Sequence, residues 1–96
     1  MAITFIARMT CEPQKRVEFV RLCRLLEDYV RANEPGTLSY AFFKLRADNR
    51  YAVLESFRDE AAEHLHMNSK ILADTGPKIS ACLIGTWERE YFDPLE

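Results

Sequence analysis

Ninety-six residues, 48% hydrophobic and 29% charged, bound the chain to one globular domain over residues 1–96. A formal net charge of -2 and a pI near 5.7 exclude the basic surface that nucleic-acid binding needs. No apolar run approaches the roughly 20 residues of a membrane span. The N-terminus has no basic leader ahead of its apolar run, so no signal peptide is expected. Cys11, Cys23 and Cys82 are odd in number and lack a CxxC spacing, which points to reduced thiols in a cytoplasmic protein.

The elements follow in chain order. Ile3 to Met9 alternates, with Ile3, Phe5, Ala7 and Met9 on one face and Thr4, Ile6 and Arg8 on the other, as a strand does. Pro13 suits the first turn of a helix, where its missing N–H is not needed. Gln14 to Ala32 is helical by period, with a stripe of Val17, Val20, Cys23, Leu26 and Val30 widened by Phe19, Leu22, Leu25 and Tyr29. Asn33 is the expected left-handed cap, and Pro35-Gly36 forbids continuation.

Thr37 to Leu45 reads as a strand that is apolar on both faces, with Leu38, Tyr40 and Phe42 on one and Ala41, Phe43 and Leu45 on the other. A polar turn over Arg46 to Arg50 returns it as an antiparallel strand, Tyr51 to Phe57. Asp59 caps a helix that runs to Asn68-Ser69, and a further helical piece covers Lys70 to Ala73. Thr75-Gly76-Pro77 reads as a break. Ile79 to Ile84 is strand by β-branching or helix by its neighbours, and Thr86 to Phe92 alternates as a last strand, with Trp87, Arg89 and Tyr91 on one face. The order βαββα(α)β predicts an α+β domain: one antiparallel sheet with helices on one face. The uncovered face would carry aromatic residues, and an apolar face of that size predicts association with a second copy.

These residues resemble the antibiotic biosynthesis monooxygenase family of the dimeric α/β-barrel superfamily. The features that carry the likeness are Glu34-Pro35-Gly36 with Tyr40, Glu55-x-Phe57, Asp59-Glu60-Ala61-Ala62 with His66, and the closing Phe92-Asp93-Pro94-Leu95. The resemblance spans essentially the whole chain. It implies a ferredoxin-like protomer, a homodimer and a pocket between sheet and helices. Its members include cofactor-independent oxygenases of quinols and phenols, haem-degrading enzymes and an isomerase of a phosphorylated sugar. Ile71 stands where members often carry a second histidine, and Ala7 where haem-degrading members carry asparagine. Both departures argue against haem.

His66 is the sharpest catalytic candidate, because an imidazole titrates near neutrality and can take a phenolic proton. The plain alternative is a helix-end histidine bonded to a nearby carbonyl or carboxylate. His64, two residues away, points elsewhere on a helix, and no third ligand is near, so no metal site is expected. Glu55, on an apolar strand face, is either an acid/base group or an ion-pair partner of Arg8 or another sheet arginine. Arg8 could stabilise a developing anion. Tyr40, Tyr51, Phe57, Asn68 and Trp87 are the expected substrate-binding residues, and each aromatic could equally be core. The leading expectation is a cofactor-independent monooxygenase acting on a small aromatic or quinol-like molecule. The alternatives are a cofactor-free isomerase of a small carbonyl compound, phosphorylated or not, and a non-catalytic small-molecule-binding dimer.

Overall fold

The structure, a computed structural model, describes residues 1–95. Strand β1 (Ile3–Cys11) turns Phe5, Ala7, Met9 and Cys11 inward, all of them buried. Pro13 opens a short 3-10 turn (Pro13–Lys15) that leads into helix α1 (Arg16–Asn33). The helix buries Phe19, Leu22, Cys23, Leu26 and Val30, a stripe at helical spacing. This stripe is rotated from the expected one: Val17 is 78% exposed, because the sheet is met by the Phe19 side of the helix. Asn33 is not a left-handed cap. It stays helical, its Nδ2 donating to the Tyr29 carbonyl at 3.0 Å, and Glu34 ends the helix with φ -120°. Among the described residues, the left-handed non-glycine residue is Asn49 (φ 61°), in the hairpin between β2 (Thr37–Lys44) and β3 (Arg50–Phe57).

Helix α2 (Glu60–Met67) starts where Asp59 accepts a hydrogen bond from the Ala62 N–H at 2.9 Å. Gly36 allows the chain entering β2 to approach this helix, since a Cβ there would lie 2.7 Å from the Ala62 Cβ. Helix α3 (Lys70–Ser80) begins at a Ser69 cap and overturns the expected break at Thr75-Gly76-Pro77. Proline costs an isolated helix dearly, but here Thr75 and Ile79 are buried on either side of Pro77, and α3 packs on α1. Tertiary burial outweighs the local cost. Strand β4 (Leu83–Phe92) begins three residues earlier than expected, because the register shift between Arg8 and Thr10 lets Gly85 (φ 75°) sit within the strand.

The four strands pair antiparallel in the order β2-β3-β1-β4, a ferredoxin-like arrangement. The inner face meets the helices through Phe5, Ala7, Met9, Tyr40, Val53 and Phe57. The outer face is not the bare apolar surface expected of it. Phe43 and Phe92 are about half exposed there, but the centre carries the Thr4–Ser56 hydrogen bond and the ion pairs Arg8–Glu90 and Arg50–Glu88.

Candidate active site

Two helix termini and one strand bring charge into the protein interior. His66, in the last turn of α2, is 1% exposed; Glu34, just past α1, is 6%; Glu55, on β3, is 5%. The His66 Nδ1 lies 2.8 Å from Glu34 Oε1. A carboxylate only accepts, so Nδ1 carries the hydrogen and Nε2 is left with a free lone pair. Nε2 lies 3.6 Å from Glu55 Oε1, too far for a hydrogen bond and close enough for one ligand atom to touch both. Tyr40 stands edge-on to the imidazole with centroids 5.0 Å apart, and the Phe57 ring lies 5.5 Å away, so the ring is held from two sides.

His66 and Glu55 line an inner cavity of about 170 Å³. Its apolar wall includes Leu26, Val53 and Ile79; Tyr40, Trp87 and Arg89 also line it. Helix α3 contributes Leu72, Gly76, Ile79 and Ser80. Had the chain broken at Gly76, that wall would not exist.

Burial sets the protonation pattern. Loss of water pushes the Glu55 carboxyl up to about 8; Arg89 opposes this, and Glu63 and Glu34 add to it. Glu55 is therefore largely protonated at neutral pH and able to donate. Burial likewise pushes His66 below its ordinary value, with Glu34 pulling the other way. Burial, reinforced by Glu55, drives the Tyr40 phenol upward, so it stays a neutral hydroxyl. Glu34 Oε2 and Glu55 Oε1 have no hydrogen-bond partner among the described residues, and such buried polar atoms are costly unless a function retains them.

The expected site residues divide. His66, Glu55, Tyr40 and Trp87 come together around the cavity, and Phe57 backs the imidazole. Arg8 does not join them. Pleat alternation puts it on the outer face opposite Ala52, where it pairs with Glu90 at 3.0 Å, so it is not the ion partner of Glu55 either. Tyr51 packs on Phe19 (centroids 4.8 Å) and lines a separate groove of about 440 Å³ between α1 and β2. Asn68 is exposed and donates to the His64 carbonyl at 2.9 Å, a helix-end role. Two residues of the site lie outside the expected set. Glu34 belongs to the Glu34-Pro35-Gly36 stretch that stops the helix and carries the family likeness, and a carboxylate beside an apolar helix end invites a partner. Arg89 shares an inward face with Trp87 by simple alternation, and that signal was present in the sequence.

Among the described residues, no cluster of His, Cys, Asp or Glu could hold a metal ion, and no helix is long and apolar enough to cross a membrane.

The sequence matches the family model described as antibiotic biosynthesis monooxygenase over residues 2–76. No curated protein matches the chain. Among solved structures, a Caulobacter crescentus protein that bears the same family name is 28% identical, with a TM-score of 0.93 over 99% of this chain and 91% of that one. A conserved protein from Methanosarcina mazei Go1 is 27% identical, with a TM-score of 0.88 over 96% and 91%. SnoaB, described as a cofactor-independent oxygenase from Streptomyces nogalater, shares the fold at 20% identity, with a TM-score of 0.83 over 99% and 94%.

Proposed function

The chain belongs to the antibiotic biosynthesis monooxygenase family, and from that premise we propose that the His66 cavity is the catalytic site of a monooxygenase acting, without a cofactor, on a small aromatic or quinol-like molecule. The observation that carries this reading is the buried Glu34–His66 pair, which fixes the tautomer and points a free Nε2 into the cavity beside a protonated Glu55. Nε2 takes the substrate's O–H proton, and Glu34 stabilises the imidazolium that forms. The electron-rich anion then reduces dioxygen itself. Arg89 and the Glu55 hydroxyl, both lining the cavity, stabilise the oxyanion that develops. The likeness to SnoaB supports the fold of such an enzyme; the chemistry rests on this chain's own residues.

A cavity of about 170 Å³ falls below the roughly 300–1,000 Å³ of sites for drug-sized ligands, which favours a small ring compound. Oxygen uptake with a series of quinols tests the reading: turnover requires dioxygen and is lost in His66→Ala. Turnover that persists without dioxygen would move the assignment to acid/base isomerisation, which the 3.6 Å spacing of His66 and Glu55 also suits. Thermal stabilisation by ligands with no turnover would make the protein a binding module.

The active assembly in this reading is a homodimer in which a second copy covers the half-exposed Phe43 and Phe92 and the ion pairs between them on the outer sheet face. Phe43→Asp is expected to convert the sedimenting species from dimer to monomer.

A further inference from the structure

His66 lines one cavity, and its hydrogen-bond partner Glu34 lines another. On the Nε2 side of the imidazole is the inner cavity of about 170 Å³, lined by His66 and Glu55 but not by Glu34. Behind it is another of about 180 Å³, lined by Glu34, Gly36, Arg58, Ala61 and Leu65 but not by His66. The rear cavity meets the surface: Leu65 is 60% exposed, and the Arg58 side chain 67%. Glu34 joins the two sides. One oxygen holds the His66 Nδ1 hydrogen at 2.8 Å, and the other, Oε2, is buried with no partner among the described residues. The rear cavity is mostly apolar but has room for water, which needs about 10–15 Å³ of such space, and its polar side chains are Glu34, Thr37 and Arg58.

We propose that Glu34 is a rear proton port, through which the His66 imidazole exchanges protons with solvent behind the ring rather than through the substrate cavity. The balance is simple. When Nε2 takes a proton from a substrate, the imidazolium passes its Nδ1 proton to Glu34, and Glu34 releases it to water in the rear cavity. The substrate is left as the anion and the imidazole is neutral again, now protonated at Nε2. When a product anion takes the Nε2 proton, Glu34 returns one from solvent to Nδ1. The ring, held between Tyr40 and Phe57, never has to turn over. The exchange then needs no water in the substrate cavity, whose exclusion keeps charges there strong. The charged and titratable groups that face the relay are Glu55 and Arg89 on the cavity side and Arg58 at the rear rim.

The use of this port in turnover rests on His66 being the base, but the port itself is measurable without any substrate. The chain has two histidines, so a protein labelled with ¹⁵N-histidine gives one buried and one exposed imidazole to follow by NMR. Exchange of the His66 Nδ1 hydrogen with water is measured by saturation transfer in the wild type and in two surface plugs. Ala61→Phe fills the rear cavity and Ser80→Phe the front one; both positions are exposed, so the fold should tolerate them, and thermal melts check this. The expected result is at least tenfold slower exchange in Ala61→Phe and an unchanged rate in Ser80→Phe. Slowing by the front plug alone, equal slowing by both, or slowing by neither overturns the port. An enzyme without oxygenase activity would leave this result standing, and a failed exchange test would leave His66 as a base.

Discussion

The two faces of the sheet carry similar charged side chains and put them to opposite uses. On the outer face, Arg8 pairs with Glu90 at 3.0 Å and Arg50 with Glu88 at 3.3 Å; the Arg8 and Glu90 side chains are 41% and 65% exposed. In the single protomer water screens such pairs, and they contribute little. On the inner face, Glu55 lies opposite Phe5 in the β1–β3 ladder and is sealed from solvent. There the same kind of carboxyl holds its proton up to about 8 and keeps an unpartnered oxygen. Adjacent β1 residues face these two environments, since Ala7 lines the cavity and Arg8 faces out. Burial, more than residue type, sets the protonation state of a charged group here.

The sharpest way to break this contrast is to remove the inner base. His66→Ala should lower kcat/KM on an accepted quinol by about 10²–10⁴-fold, the range of general-base catalysis; a loss under threefold would take His66 out of the chemistry. Next is the inner arginine: Arg89→Ala should lower kcat by about 10²-fold if it stabilises the oxyanion, and a change confined to KM would make it only a binding group.

The inner carboxylate offers a test by stability. Because the folded Glu55 pKa lies above its ordinary 4.5, the folded state holds a proton that the unfolded chain releases. The group's contribution is fully present below about 4.5 and is lost as pH rises through about 8. His66 has the opposite sign: its lowered pKa makes the folded state gain stability as pH rises towards 6.5. Above 6.5 Glu55 acts without that offset, so the Tm of the wild type should fall towards pH 8 and Glu55→Gln should flatten the fall. An identical slope in the two proteins would show that Glu55 is not held protonated. The smallest effect belongs to the outer face. Arg8→Ala should change stability by less than about 1 kcal/mol, as exposed pairs do, and leave kcat within twofold. A larger loss of kcat would put the outer face into the chemistry.

Much of the fold was legible from local pattern. Alternation in β1 and β3, the Asp59 cap and the Pro35-Gly36 stop are properties of neighbouring residues, and each appears in the structure as read. The errors have a common origin. The rotation of the α1 stripe away from Val17 and the passage of α3 through Pro77 depend on what each helix packs against. The site shows the same limit: His66 and Glu55 stood out by residue type, whereas Glu34 acquires a role only through a partner 32 residues away in sequence.

The sequence by itself determined the order of elements, the composition of the apolar faces and the presence of an ionisable histidine near a helix end, because period and capping are set within a few residues. Only the tertiary structure decided which arginine faces the cavity, which carboxylate orients the imidazole and where a cavity remains. Strand register and helix rotation fix those choices, and both are set by packing between segments far apart in the chain.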